Sequence, residues 1–291
     1  MSTALMSEPH AAVLPTRTVG YYAVLGLNKE PFSTSPDPAF FYESPEHRAA
    51  LTRVLIELRL RRGLSLILGD VGTGKTTLSR KLFQVLRERT DTHFHMIQDP
   101  AFDTEALFLT ALVRTFKIEL DHPAPSILDY REAIKTFLFQ QGVEREHTVV
   151  LLIDEAQKLN TMSLEILRGL LNYETNEYKL LQLVLVAQLE LLPRLREIRN
   201  FLDRVSLKYV LNPLDEPKTR ELIEFRLKQA GYDSNRPLFT DDAVREIHRV
   251  SQGYPRHIAQ YCHHALRELV ACNKPVVDGS IIQALIANEV R

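Results

Sequence analysis

The run Gly69-Asp70-Val71-Gly72-Thr73-Gly74-Lys75-Thr76 has the spacing G-x-x-x-x-G-K-[ST]. Each residue type answers a chemical need. Glycines let the backbone curl until several N–H groups point inward at phosphate oxygens. A helix beginning near Lys75 adds the positive end of its dipole. The Lys75 ammonium can reach the β- and γ-phosphates of ATP, and the Thr76 hydroxyl can ligate Mg²⁺, with Thr77 beside it. At average residue usage such a run arises by chance roughly once in a hundred chains of this length. The apolar run before it and the amphipathic positions after it (Leu78, Leu82, Val85, Leu86) make coincidence rarer still.

A second constellation is Val149-Val150-Leu151-Leu152-Ile153-Asp154-Glu155-Ala156-Gln157, a buried-strand pattern ending in two carboxylates. In open parallel sheets, ligands bind beyond the C-terminal ends of the strands. Asp154 would then stand beside the phosphate loop and hold Mg²⁺, directly or through water. Glu155 could polarise a water for in-line attack on the γ-phosphate, an assistance worth roughly 10²–10⁴-fold. The plainer alternative is that the pair only caps the following helix. The phosphate loop in the same chain favours the chemical reading.

The elements that must position these groups are legible in outline. Apolar strands are expected at 64–68, 93–97, 148–153 and 181–187, with a last one at 209–211. They alternate with helices, notably 45–62, capped by Ser44 with Pro45 at its first position, and 75–89. Continuous apolar strands between helices predict a parallel sheet covered on both faces, an αβα sandwich. After Pro213 the strand pattern stops. Helices are expected at 216–229, from Thr240 to about 252, from Pro255 to about 273, and from Asp278. The expected organisation is a tail over 1–19, an α/β domain over 20–212 and a small all-helical domain over 213–291.

The chain has 291 residues, 45% hydrophobic and 25% charged, with a net charge of −1. That size can bury a core without disulfides or metal, and two cysteines, Cys262 and Cys272, make no disulfide framework. The charge balance is not that of a dedicated nucleic-acid binder. The first 17 residues lack the pattern of a signal peptide. No apolar run approaches the roughly 20 residues of a membrane-spanning helix, so a cytoplasmic chain is expected.

Several segments together resemble the ExeA/GspA family of AAA+ ATPases. They are Leu27-Asn28-Lys29-Glu30-Pro31-Phe32, Ser35-Pro36-Asp37-Pro38-Ala39-Phe40-Phe41, the phosphate loop, and Asp154-Glu155-Ala156-Gln157. Leu170-Leu171-Asn172-Tyr173-Glu174-Thr175-Asn176, the run 181–188 and Gly253-Tyr254-Pro255-Arg256 complete the series. The resemblance covers roughly residues 20 to 275. It implies an AAA+ fold with a helical lid, and ATP and Mg²⁺ bound between the two parts. It implies that Gln188 is sensor 1 and Arg256 sensor 2, both reading the γ-phosphate. It also implies a homo-oligomer in which a neighbour's arginine completes each site. Arg204 stands where that finger belongs, with Arg199 and Arg196 as rivals. The segment 31–41 should lie near the adenine, although Phe32 and Phe40 could equally be core. Secretion members usually continue past the lid into a membrane span and a periplasmic module. Here the sequence stops at Arg291, which reads as the short form, a form also similar to TnsC/TniB-type transposition ATPases.

Three roles follow from the resemblance: an ATPase energising a secretion or pilus machine, an ATP-dependent DNA-binding transposition regulator, or a nucleotide switch gating a partner protein. Segment 98–105 follows the second strand, where DNA-encircling rings face their pore. Its acidic Asp99, Asp103 and Glu105 would repel a phosphate strand, which disfavours DNA. Arg59, Arg61 and Arg62 read as a solvated helix C-terminus. His93, His95, His257, His263 and His264 lack metal spacing and read as structural or exposed, and Lys117, Lys135 and Lys158 read as solvated.

Overall fold

The computed structural model describes residues 20–33, 38–120, 125–234 and 236–289. Five strands form one sheet: β1 (Leu64–Gly69), β2 (Thr92–Ile97), β3 (Thr148–Ile153), β4 (Leu181–Ala187) and β5 (Val205–Leu211). Their order is β2-β3-β4-β1-β5 and every pairing is parallel. The inner strands β1 and β4 are buried along their whole length, as continuous apolar sequence requires of strands covered on both faces. Edge strand β5 begins four residues before the 209–211 expected. Its first half carries exposed Ser206 and Lys208, the kind of polar residue that blunts a free edge and breaks an apolar run.

The pleat divides each strand between two cores. Leu64, Leu66 and Leu68 of β1 face one layer, and Ile67 faces the other. The first layer holds α4 (Glu105–Phe116), α5 (Ile127–Phe139), α6 (Thr161–Leu170) and α7 (Leu191–Glu197). The second holds α2 (Pro45–Arg59) and α3 (Lys75–Leu86). Helix starts follow their capping residues. Ser44, Thr104, Asn160, Asp215 and Thr240 each accept a backbone N–H from the first turn, and Ser126 forms a reciprocal capping box with Asp129.

Helix α2 ends at Arg59, short of the expected 62. Arg61 turns left-handed, with φ 51°. Its guanidinium donates to Thr148 Oγ1 (3.2 Å), to Gly142 O (3.2 Å) and to Glu146 O, and it lies over the Tyr178 ring. The expected solvated arginine is instead a tie between α2 and the start of β3.

The C-terminal helices are α8 (Glu216–Gln229), α9 (Asp241–Ser251), α10 (Pro255–Ala271) and α11 (Gly279–Glu289). They share a third core, which also takes in Leu27, Phe32 and Phe40 from ahead of α2. Phe32 is fully buried edge-on to Phe239. Of the two readings open for Phe32 and Phe40, the structure selects the core. The short helix α1 (Tyr21–Val24) is tied to α10, where Tyr21 Oη and Glu30 Oε1 lie 3.0 and 2.8 Å from His263 Nδ1. No helix among the described residues is long and apolar enough to cross a membrane.

Candidate functional site

The three sequence motifs meet because of strand order. Segment 69–76 leaves the C-terminal end of β1, Asp154 and Glu155 leave β3, and Gln188 leaves β4, which lies between those two strands. Helix α3 starts at Lys75, and Gly74 before it has φ 93°. A side chain at Gly74 would meet His47 Nε2 at 2.7 Å, and one at Gly72 (φ 86°) would press on Arg256 Cβ at 3.2 Å. Glycine is therefore required both by backbone conformation and by close approach.

Lys75 is buried, and its Nζ donates to Gly69 O and Asp70 O, both at 2.9 Å. Burial lowers its pKa, while Glu155, Asp154 and Asp70 favour its charged form. Asp154 is also buried, and burial raises its carboxyl above the usual range. Its hydrogen bonds from the Glu155 N–H (3.0 Å) and the Thr76 hydroxyl act the other way. Glu155 sits in a left-handed conformation, φ 52°, and accepts from Gln157 Nε2 at 2.6 Å. Gln157 in turn accepts from the Gln188 N–H at 3.1 Å. Arg194 of α7 fixes that turn by donating to Gln157 O (2.6 Å) and Leu159 O.

The α8–α11 layer closes the site from above. Tyr254 Oη donates to Asp70 Oδ2 at 2.9 Å, and the Arg256 N–H lies 3.4 Å from Gly72 O. The cleft beneath has a volume of about 480 Å³. Its walls include Lys75, Thr76 and Thr77, then Glu155 and Gln188, then Arg256 and Arg226 from the helical layer. Ser33 also lines it, so segment 31–41 reaches the cleft through a serine while Phe32 and Phe40 point into the core. Residues 34–37 lie outside the described residues.

Arg204 is not among the residues lining this cleft. It donates to Asn172 Oδ1 and Asn200 O, both at 2.7 Å. Arg196 and Arg199 are exposed.

Sequence reasoning missed four groups. His47 bridges the Ser44 hydroxyl (2.7 Å) and Thr73 O (2.9 Å), propping the loop from behind; burial keeps it neutral by lowering its pKa. Gln157, Tyr254 and Arg226 are the others. Gln157 and Tyr254 stood inside recognised segments but carried no signal of their partners.

The donor set suits Mg²⁺. Thr76 and Asp154 offer hard oxygens, and Asp154 is a buried carboxylate whose pKa burial raises. No group of three or more His, Cys, Asp or Glu side chains that could by itself hold a metal ion occurs among the described residues. His93 pairs with His147 at 2.8 Å, and His95 lies 2.7 Å from Thr115 O, both away from the cleft lining.

A parallel sheet in this order, with a phosphate loop after β1 and carboxylates after β3, defines a P-loop protein of the AAA+ class, and residues 58–195 match the family described as AAA domain. The chain carries an AAA domain and is similar to ExeA/GspA-type ATPases over most of its length. It is 39% identical over 248 residues to general secretion pathway protein A of Aeromonas hydrophila, covering 84% of this chain and 44% of that protein. The chain thus spans less than half the length of that relative. Solved structures share the fold. Cdc6p from Pyrobaculum aerophilum has a TM-score of 0.64 at 17% identity, covering 85% of this chain and 67% of its own. Drosophila ORC bound to DNA has 0.66 at 19%, covering 99% and 71%. The Thermotoga maritima RuvB branch migration motor has 0.53 at 16%, covering 81% and 67%.

Proposed function

We propose that this chain binds and hydrolyses Mg·ATP as a homo-oligomer, and that the cycle energises or switches assembly of a secretion or pilus machine. The observation that carries the chemical part is the convergence on one cleft of Lys75, Thr76, Glu155, Gln188 and Arg256, with the buried Asp154 next to Glu155 at the end of β3. Similarity to general secretion pathway protein A supports the cellular part.

The cleft residues divide the work. The N–H groups of residues 69–77 and the start of α3 receive the phosphates. Lys75 exchanges its two carbonyl acceptors for β- and γ-phosphate oxygens. Thr76 and Asp154 hold the metal, which when bound neutralises charge on the β- and γ-phosphates. Glu155, steadied by Gln157, orients the attacking water and accepts its proton. Gln188 and Arg256 contact the γ-phosphate from the sheet and from the lid. A neighbour's Arg204, already oriented by Asn172 and Asn200, would stabilise the transition state, a contribution worth roughly 10³–10⁵ in rate in phosphoryl-transfer enzymes that use such a finger.

The decisive experiment is a Glu155→Gln chain, with ATP affinity measured by calorimetry and turnover by phosphate release. Affinity should hold within a few-fold while turnover falls roughly 10²–10⁴-fold. Unchanged turnover would mean that the base lies elsewhere. No ATP binding by the unsubstituted chain would reject the reading as a whole.

A further inference from the structure

Arg226 differs from the other inward-turned arginines of this fold. Arg61 and Arg194 place their guanidinium groups on backbone carbonyls. Arg226 shares a face of α8 with Leu222 and Ile223, which are buried in the helical core. Its Nε and Nη1 atoms are buried and have no hydrogen-bond partner among the described residues. Burial disfavours its cation, and no salt bridge to Arg226 occurs among the described residues. Arginine nevertheless stays protonated in proteins. A buried cation with idle donors is costly, and it calls for the acceptor those donors serve. The open side of Arg226 is the cleft, whose wall it shares with Ser33, Ala259, Arg256 and Lys75.

Its position along α10 indicates which part of a nucleotide it meets. The cleft wall that holds Arg226 also includes Ala259, three residues beyond Arg256 on α10, roughly 4.5 Å along the helix axis. If Arg256 reads the γ-phosphate, Arg226 is displaced toward the nucleoside.

We infer that Arg226 is a further nucleotide-binding residue, donating from the lid to the ribose or base of the adenine nucleotide. This rests on the reading that the cleft binds ATP. It separates two duties in the lid: Arg226 holds the nucleoside in both ATP and ADP states, and Arg256 answers only to the third phosphate.

The test is calorimetric titration of the full chain and of its Arg226→Met and Arg226→Lys variants with Mg·ATP and with Mg·ADP, alongside thermal unfolding without nucleotide. Arg226→Met should weaken ATP and ADP by the same factor, roughly ten- to a hundredfold, the loss of hydrogen bonds from a charged donor. Its nucleotide-free Tm should not fall, because an apolar side chain of similar length replaces an unpaired buried charge. Arg226→Lys should recover part of the affinity. Unchanged affinity in Arg226→Met, or a lowered nucleotide-free Tm with affinity kept, would overturn the inference and leave the ATP reading standing. Weakening of ATP alone would also overturn it, by moving the contact to the γ-phosphate. A parent chain that binds neither nucleotide would overturn both.

Discussion

His95 illustrates how much one buried side chain can decide. Its Nδ1 lies 2.7 Å from Thr115 O, while its Nε2 is buried without a partner among the described residues. The ring is therefore neutral with its proton on Nδ1, and burial lowers its pKa from 6.5 to about 4. Between those values the unfolded chain binds more protons than the folded one, so stability falls as pH drops from 6.5 toward 4. The full contribution is about 3 kcal/mol. Chemical denaturation should show the parent chain losing about that much more than His95→Gln between pH 7 and pH 4. Equal losses in both would refute the assignment. The sequence placed His93 and His95 on one strand face and gave them no metal, yet it could not show that one ring pairs with His147 and the other with a helix carbonyl. Such partners come from distant parts of the chain.

Elements obey more local rules, and their starts were the most legible features of the sequence. Ser44 with Pro45, Thr240, and Asp215 ahead of Glu216 begin helices where capping chemistry predicts. Ends were less legible: α2 stops early because Arg61 has tertiary acceptors, and α3 stops at Leu86, after which Arg89 pairs with Asp91. The turn from α9 to α10 is the most constrained joint of the lid. Gly253 has φ 77°, and a Cβ there would lie 1.9 Å from Leu214 O, whose residue also donates its N–H to Gly253 O. Gly253→Ala combines an unfavourable left-handed conformation with a backbone collision, at a cost of about 2–5 kcal/mol. Thermal unfolding should show a large fall in Tm, and ATP affinity should fall with it because Tyr254 and Arg256 follow directly. A variant with unchanged Tm would show that this turn yields freely.

At the scale of the molecule, the cleft is built from two layers that touch through few polar contacts, chiefly Tyr254 with Asp70 and the Arg256 N–H with Gly72 O. The proposed homo-oligomer belongs to this scale. Glu155→Gln, which should retain ATP, is the form in which to weigh the assembly. Light scattering in Mg·ATP should show a defined oligomer absent without nucleotide, and duplex DNA should not change its mass. In the fold two of the acidic residues of segment 98–105 are paired with cations, Asp99 with Lys158 and Glu105 with Arg131. A mass that rises only when DNA is added would replace the machine-assembly role with a transposition-type one.

The sequence by itself determined the parts whose rules are local. Spacing defined the phosphate loop, apolar runs defined the inner strands, and Ser44 and Thr240 defined the starts of two helices. Parallel-sheet logic placed Asp154 beside the loop and the family resemblance placed Gln188 there, while the strand order itself came with the structure. Only the tertiary structure decided which buried polar groups serve the cleft. His47 behind the loop, Gln157 between Glu155 and Gln188, and Arg226 facing the nucleotide space are single polar residues in ordinary helical or turn sequence. Their roles depend on partners 2 to 31 residues away, or on burial itself. No local pattern encodes such distances, because it is the packing of separate layers against one another that sets them.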